Sequence, residues 1–464
     1  FPRTNGVYGA GDYSNRVPNF DDNNVHNFYS RSTHNAVFYN PDITYIPWSN
    51  ADGSSMAPAN PAAALYNPGI PVLGGFDLTV QQTQTANWFA HTTSLLNQNT
   101  NWGSSHTYWP ITYFRYDGGT VDVRANYTRT QITAATPVGA SFTSPDGNTT
   151  RTRDEEIQNF ANWFQYYRSR ALMAKAGVGR AFAKQGTNLR VGYATINKGN
   201  STVDNVNTDS VVTGVRPFSG ADRQDFFDQL YGRPLPPAGT PLRTALQDVG
   251  EYFKRTDNQG PWSEAPGTSN TAADLQCRQS YNVLMTDGFW NGGDPSAINN
   301  SDNLNGAVIS GPNDPNFQYT PAAPYSDVWS NTLADTAMHY WKQDLRTDLD
   351  NKVPTNAQDP AFWQHLVNFT VGLGVNGSLD PVTDWAGLDA GTTPWPQPNT
   401  DPAKIDDLWH AAVNSRGNFF SASDPETFAN SLSDILSNIT DRTSSASSIA
   451  LNSGTLSVNS QIYQ

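Results

Sequence analysis

The stretch YNVLMTDG, residues 281–288, decides the predicted fold. Its first six residues, from Tyr281 to Thr286, are mainly apolar and have the length of a strand, and the pair Asp287-Gly288 is typical of the turn that ends one. An apolar run without strict alternation is typical of a strand that is buried on both faces of a parallel sheet. The sequence therefore predicts a buried strand with the Asp287 carboxylate at its carboxyl end.

Helical and strand patterns alternate on both sides of this segment, from Arg151 to about residue 440. The predicted helices cover residues 154–184, 221–230, 240–253, 333–349, 405–413 and 425–439, and the predicted strands cover residues 189–196, 281–286, 366–375 and 418–420. This alternation is typical of an open, mostly parallel sheet with helices on both faces. We therefore expect an α/β domain with a doubly wound sheet over residues 151–440.

The regions on either side have a different character. Residues 1–150 are rich in Asn, Gly, Pro, Trp and Tyr and have almost no helical periodicity outside one predicted helix over residues 86–96, so they are expected to be rich in loops and short strands. Residues 441–464 are rich in Ser and are expected to be a linker towards an absent domain. Because the sequence starts at Phe1 without a basic and apolar leader, we expect a processed or excised piece.

The composition indicates an exported surface protein. The 464 residues contain 28 Lys and Arg against 42 Asp and Glu, a formal net charge of −14, and this balance argues against nucleic acid as a partner because phosphates require a basic surface. Charged residues make up 15% of the chain, below the usual ~25%, so Asn, Ser, Thr and Gln supply much of its polarity. No run approaches the ~18 apolar residues of a transmembrane helix.

A metal site is predicted where two loops reach the carboxyl edge of the sheet. Thr240 begins a predicted helix in Gly239-Thr240-Pro241-Leu242, and Asp287 follows a strand. Ligands bind at this edge of doubly wound sheets, and hydroxyl and carboxylate oxygens suit Mg²⁺, Mn²⁺ or Ca²⁺. Each residue also has an ordinary interpretation, because Thr before Pro often caps a helix and Asp-Gly often forms a turn.

No sequence motif predicts an enzyme. The seven His residues lack zinc-binding spacing, and the chain has no nucleophile-elbow Ser motif, phosphate-binding loop or dinucleotide-binding glycine motif. The single cysteine, Cys277, cannot form a disulfide within the chain. Three alternatives remain for it: a disulfide to a residue outside the chain, a buried free thiol or a regulatory thiol.

Several long stretches carry a family resemblance, among them EIQNFANWFQYYRSR at residues 156–170 and LMTDGFWN at residues 284–291. The others are residues 39–48, 190–197, 239–243, 277–279, 333–341 and 406–414. Together they resemble the PilY family of type IV pilus tip proteins over nearly the whole chain. The resemblance implies a von Willebrand factor A domain, which has a Rossmann-like sheet, with residues 1–150 as a large insertion rich in aromatic residues and Asn. It also implies a C-terminal β-propeller beyond the linker.

The resemblance further implies a metal-ion-dependent adhesion site. In such a site a D-x-S-x-S motif after the first strand, a Thr from a second loop and an Asp from a third hold one divalent cation, Mg²⁺ or Ca²⁺. Thr240 and Asp287 match the second and third positions. An open position in the coordination sphere accepts a carboxylate from a partner. The family also implies an extracellular location at the pilus tip, minor pilins as partners in pilus assembly, and adhesion to a surface or host ligand.

The chain departs from the family pattern at the first strand. It has no D-x-S-x-S motif, and the nearest segment, Asp52 to Met56, has Met at the second Ser position. We therefore expect the first strand upstream of residue 1. Because that strand is central, its absence predicts that the strands at 189–196 and 281–286 do not pair, and that they lie about 9–10 Å apart or enclose a foreign strand.

Two functions compete at this point. In the first, the protein is a pilus tip adhesin that binds surface ligands through the metal site and supports pilus assembly. In the second, it is a structural subunit that caps and primes the pilus by docking on minor pilins, without metal-dependent binding. A hydrolase has little support because the chain has no nucleophile–base motif.

Overall fold

The computed structural model describes residues 15–18, 37–90, 100–120, 123–235, 238–268, 271–286, 288–312, 316–422 and 425–447. The chain divides into two compact units. Unit 1 consists of Phe1–Lys184, Phe227–Pro237 and Asp424–Ala429, and unit 2 consists of Gln185–Phe226, Ala238–Ser423 and Asn430–Gln464. The division therefore does not fall at the boundary expected at Arg151, because the residues from there to Lys184 belong to unit 1.

Unit 1 combines short strands with two helices. The strands are Asn15–Pro18 (β1), Ala64–Leu65 (β2), Gly75–Phe76 (β3), Gln82–Ala90 (β4), Thr100–Tyr108 (β5), Thr112–Tyr116 (β6), Tyr127–Gln131 (β7), Ser141–Thr143 (β8) and Thr150–Thr152 (β9), and the helices are Arg153–Tyr166 (α1) and Arg170–Ala183 (α2). The described strands form a three-stranded sheet in the order β1-β4-β5 and the pairs β2-β3, β6-β7 and β8-β9.

The helix predicted over residues 86–96 is wrong in its described part, because β4 extends to Ala90. Residues 91–99 lie outside the described residues. β4 pairs antiparallel with β5 along its whole length. The hydroxyl of Thr83 lies 2.8 Å from that of Thr107, and this kind of cross-strand pair stabilises a sheet whatever the helical propensity of the segment.

Polar side chains on the buried face of α1 bind the irregular backbone of the preceding loops. Asn159 accepts a hydrogen bond from Tyr45 N at 2.7 Å and donates one to Ile43 O at 2.9 Å. Asn162 accepts from Ala59 N at 3.0 Å and donates to Tyr45 O at 2.9 Å. Buried backbone groups need such partners where no strand supplies them. These bonds explain why α1 belongs to the N-terminal unit.

The single helix predicted over residues 154–184 is two helices. α1 ends at Tyr166, and Ser169 has extended backbone with φ −141° before α2 begins. The Ser169 hydroxyl caps α2 by accepting a hydrogen bond from Leu172 N at 3.2 Å. The apolar periodicity continues across this break, so the period alone could not reveal it.

Unit 2 contains most of the predicted α/β pattern. Its strands are Arg190–Ala194 (β10), Ser201–Val203 (β11), Val206–Thr208 (β12), Val211–Pro217 (β13), Tyr281–Thr286 (β14), Val367–Leu373 (β15) and Phe419–Ala422 (β16). The α-helices that follow α2 in the described residues are Gly220–Gly232 (α3), Leu242–Phe253 (α4), Leu333–Trp341 (α5), Trp385–Asp389 (α6), Asp401–Asn414 (α7) and Pro425–Ser447 (α8). In sequence, α3 and α8 cross the boundary between the units. α8 continues through Ser447, so the linker expected from residue 441 is helical in its described part.

The strands β14, β15 and β16 form a parallel sheet in that order, as the alternation predicted. β15 is buried along its full length. One hydrophobic cluster joins Leu284 of β14 with Leu333 and Tyr340 of α5 and Leu408 of α7, so two of the predicted helices and the decisive strand share a core.

β10 pairs with β13 in a separate antiparallel sheet, and β11 pairs with β12. Within the described strands, β10 and β14 therefore do not pair with each other. This is the result expected if a central strand belongs between them. The sequence analysis missed the hairpin of β11 and β12. Asp204 and Asn205 form its turn, and both have positive φ, as a tight hairpin turn requires. Val211 of β13 and Leu284 of β14 belong to the same hydrophobic cluster.

We expect Asn162→Ala to lower the free energy of unfolding of unit 1 by about 2–4 kcal/mol, because it removes the hydrogen bonds that the Asn162 amide makes with the Ala59 N–H and the Tyr45 carbonyl. Urea unfolding followed by tryptophan fluorescence measures this change. The exposed Asn148→Ala is the control and should cost less than about 1 kcal/mol. Equal stability of the two variants would contradict the role assigned to α1.

Candidate functional site

Thr240 lies just before α4, and its hydroxyl is unused by the helix. α4 begins at Leu242, its N-cap residue is Pro241, and no side chain caps it. Thr240 is half-buried, and its Oγ1 has no hydrogen bond to a residue that the structure describes. The capping interpretation of Thr240 is therefore wrong, and the hydroxyl is available to a ligand.

The loop that follows β14 holds the backbone of Thr240. Thr240 N donates to Asn291 Oδ1 at 2.8 Å, and Asn291 N donates to Thr240 O at 2.9 Å. Gly239 permits this approach, since a Cβ there would lie 2.5 Å from Asn291 Oδ1. Asp287 itself lies outside the described residues. The structure thus brings Thr240 against the loop that follows β14, at Asn291.

Arg243 of α4 fixes the same loop from the opposite end. Its guanidinium donates to Gly292 O at 3.0 Å and to Asn331 O at 2.8 Å, and it pairs with Asp294 at 2.8 Å. It also lies 4.0 Å from the centroid of the Trp290 ring. The planar fork of arginine can make all these contacts at once, whereas a lysine cannot.

Trp290 connects this loop to two helices of the core. Its Nε1 donates to Asp407 Oδ2 at 2.9 Å, and the Asp407 carboxylate also accepts from Leu333 N and Ala334 N, each at 2.9 Å. A carboxylate in this position satisfies the unpaired amides at the start of α5. Burial raises the pKa of Asp407 to about 6, although these two backbone hydrogen bonds lower it.

A second group of ionisable side chains includes His410 of the same helix, α7, and was missed by the sequence analysis. Asp302, Asp327 and His410 bring one ligand atom each to within 4.8 Å of one another. His410 Nδ1 is 3.4 Å from Asp327 Oδ2, and Nε2 is 3.0 Å from Tyr325 O. Such donors can hold a metal, but here both ring nitrogens already face oxygen acceptors, as in an ion-paired imidazolium. The three residues come from separate segments, so no motif spacing could have indicated them.

The structure also tests two smaller expectations. Cys277 is exposed, which removes the buried-thiol alternative and leaves the external disulfide and the regulatory thiol as predictions. The segment from Asp52 to Met56 forms a turn in unit 1, where Ser54 N and Ser54 Oγ donate to Asp52 Oδ1 at 2.9 and 2.6 Å. This segment therefore resembles the adhesion motif in sequence but is an ordinary Asx turn.

The chain is similar in sequence to proteins named type IV pilus biogenesis factors. It is 31% identical over 466 residues to PilY1 of Pseudomonas aeruginosa strain PAK, an alignment that covers 93% of this chain and 37% of that protein. PilY1 of strain PAO1 is 38% identical over 329 residues, 64% of this chain and 28% of that protein. These similarities support membership of the PilY family. The matched region spans 37% of the length of the first relative and 28% of the second.

No family profile matches the chain. Among solved structures, the pilus adhesin SpaC from Lactobacillus rhamnosus GG has a TM-score of 0.29 at 12% identity, over 58% of this chain and 28% of that chain. A similarity at that level carries no argument about fold or function. Within the part of the chain that the structure describes, no helix is long and apolar enough to cross a membrane.

We expect Arg243→Lys to loosen the loop of residues 288–294, because one ammonium group cannot replace a fork that binds two carbonyls, a carboxylate and a ring. The free energy of unfolding of unit 2 should fall by about 2–3 kcal/mol. Urea unfolding measures this loss, and hydrogen exchange should localise it to residues 288–294. The control is Lys254→Arg at an exposed position of the same region. Unchanged exchange in the loop would show that Arg243 does not fix it.

Proposed function

We propose that this protein acts at the tip of a type IV pilus on the cell surface, where it supports pilus assembly and binds a surface or host ligand. The homology to proteins named type IV pilus biogenesis factors supports this role. The acidic, sparsely charged and aromatic-rich composition suits an exported protein. The activity needs no reaction at a catalytic centre, so we propose a binding and assembly function rather than an enzymatic one.

In this proposal Thr240 and Asp287 are ligands of a divalent cation, Mg²⁺ or Ca²⁺. The single observation that carries it is the free Thr240 hydroxyl, which lies at the start of α4 beside the loop that begins at Asp287. A hydroxyl and a carboxylate are hard oxygen donors and fit such a cation. They fill only part of a coordination sphere, and an open position on the bound cation would accept a carboxylate from the ligand.

We propose a von Willebrand factor A fold for unit 2, in which a central strand separates β10 from β14. The parallel order β14-β15-β16 and the separate antiparallel pair β10-β13 support this arrangement. Val211 and Leu284 contribute to one hydrophobic cluster although their sheets are separate. A strand between these sheets would make them continuous and would carry the remaining metal ligands at its carboxyl end.

A second candidate function is a structural subunit that caps the pilus on minor pilins without binding metal. The absence of a D-x-S-x-S motif from this chain favours it, since two ligands alone hold a divalent cation weakly. The two functions differ in their response to loss of the cation, so a substitution at Thr240 separates them.

Thr240→Ala in the full-length protein should weaken Mn²⁺ or Mg²⁺ binding by on the order of tenfold or more, because the cation loses one oxygen ligand. Titration calorimetry measures the affinity, and attachment of piliated bacteria to a surface measures the function. The exposed Thr383→Ala is the matched control. Lost attachment with normal pili supports the adhesin. Unchanged cation affinity excludes the metal site, and lost pili with unchanged affinity favours the structural subunit.

The proposed central strand predicts slow hydrogen exchange of every amide in residues 281–286 of the full-length protein, because β14 would then be paired on both sides. Hydrogen exchange read by mass spectrometry or NMR measures it, with β15, which is paired on both sides in the structure, as the internal reference. If alternate amides of β14 exchange as fast as those of loops, the edge is open and the proposed fold fails.

A further inference from the structure

The cluster of Asp302, Asp327 and His410 binds one long loop segment to two helices of unit 2. Asp302 and Asp327 lie in residues 298–331, whereas His410 lies on α7. Asp302 Oδ1 accepts from Asp327 N at 3.2 Å, and Asp302 Oδ2 accepts from Asn414 Nδ2 of α7 at 3.0 Å. Asp302 N donates to Asp335 Oδ1 of α5 at 3.2 Å. The segment is therefore held by these polar contacts and by hydrophobic packing of Ile309 and Tyr319 against Met338 and Trp341 of α5.

Both ring nitrogens of His410 face oxygen acceptors, an arrangement that favours the doubly protonated ring. Nδ1 faces the Asp327 carboxylate at 3.4 Å, and Nε2 faces the Tyr325 carbonyl at 3.0 Å, with Asp302 Oδ2 at 3.8 Å. A neutral imidazole has only one N–H, so the lone pair of its unprotonated nitrogen would point at an oxygen acceptor. The Trp395 ring stacks on His410 at a centroid distance of 4.2 Å and shields it from water.

The charges around this histidine do not cancel without further protons. Four carboxyl groups meet here: Asp302, Asp327, Asp335 and Asp407. The cations that face them are His410 and Lys342, whose Nζ donates to Ser301 O and Leu304 O and whose charge acts on Asp302 and Asp335. Two tyrosines also lie here: the Tyr319 hydroxyl donates to Asp302 O at 2.6 Å, and the Tyr325 ring lies 3.6 Å from the Arg416 guanidinium.

Burial favours the neutral forms of Asp302 and Asp335. The side chain of Asp302 is fully buried, and burial raises the pKa of its carboxyl group far above the usual value, although the His410 cation lowers it. Burial likewise raises the pKa of Asp335, against the hydrogen bonds from Thr332. The pKa of His410 is raised because Asp327 and Asp302 favour its charged form more strongly than burial opposes it. Each shift favours the protonated form in the folded protein.

We propose that this cluster is a proton-held clamp, which fastens residues 298–312 and 316–331 to α5 and α7 at acidic pH and loosens them as the pH rises above neutrality. The proposal goes beyond the function at Thr240 and does not depend on it. It makes the segment carrying Trp329, and the Trp395 ring packed on His410, responsive to the pH outside the cell. With a divalent cation in the cluster, the attachment of this segment would instead strengthen as the pH rises, since cations bind deprotonated carboxylates.

The direction of the pH effect follows from the raised pKa values. An unfolded Asp ionises near pH 4 and an unfolded His loses its proton near pH 6.5. The stabilisation by each bound proton is complete below those values and is lost as the pH rises through the higher folded values. Between about pH 5 and pH 8.5 the ratio of folded to unfolded protein should therefore fall with pH, by up to about tenfold per pH unit for each proton involved.

The test compares wild-type protein with Asp302→Asn, which imitates a carboxyl group that stays neutral. Hydrogen exchange of residues 298–331, corrected for intrinsic rates, should become at least tenfold faster in the wild type between pH 5.5 and pH 8.5. Asp302→Asn should remove most of this dependence, and the exposed Asp389→Asn should keep it. Equal pH dependence in wild type and Asp302→Asn would overturn the proposal.

Two further measurements keep the proposal open to refutation if Asp302→Asn does not fold. The ring of His410 in the wild-type protein can be titrated by NMR, and it should remain charged above pH 7. A ring that is neutral at pH 7 overturns the clamp. Added Ca²⁺ or Mg²⁺ should not protect residues 298–331, and protection that increases with pH would instead identify a metal site.

Discussion

A buried peptide group must be hydrogen-bonded, and this requirement governs the whole molecule because so much of its backbone is irregular. In unit 1 the amides of Asn159 and Asn162 provide donors and acceptors for the loops that pack on α1. In unit 2 the Asp407 carboxylate and the Arg243 guanidinium do the same for the start of α5 and for the loop after β14. The high content of Asn and Gln in the chain fits this use of side-chain amides. An amide offers both a donor and an acceptor without the cost of burying a charge.

One face of α7 organises the polar contacts of unit 2. Asp407, His410 and Asn414 follow one another at spacings of three and four residues, which place them on the same side of a helix. Asp407 binds the Trp290 loop and the start of α5, whereas the other two bind residues 298–331. The loop beside Thr240 and the proton-held clamp are therefore attached to the same helix. This connection gives the candidate metal loop a rigid support, as a binding site requires.

Much of the secondary structure could be predicted because local periodicity reports it. β14 was predicted with its observed ends, and the parallel neighbours β15 and β16 followed from the alternation of strands and helices. The errors occur where the local sequence pattern and the pairing of strands favour different secondary structures. Residues 86–90 lie in a long strand because β5 pairs with them. The short strands β11 and β12 have one apolar residue each, Val203 and Val206, too few to mark a strand in sequence.

The sequence by itself determined the order of β14, β15 and β16 among the helices of unit 2, the position of Thr240 at the start of a helix, and the similarity to pilus proteins. These properties depend on residues that are close together in the chain or on long matching stretches. Only the tertiary structure decided that Thr240 is not a helix cap, that α1 and α2 belong to unit 1, and that Asp302, Asp327 and His410 meet. Hydrogen bonds between distant segments leave no period and no spacing in a sequence, because folding alone brings their donors and acceptors together.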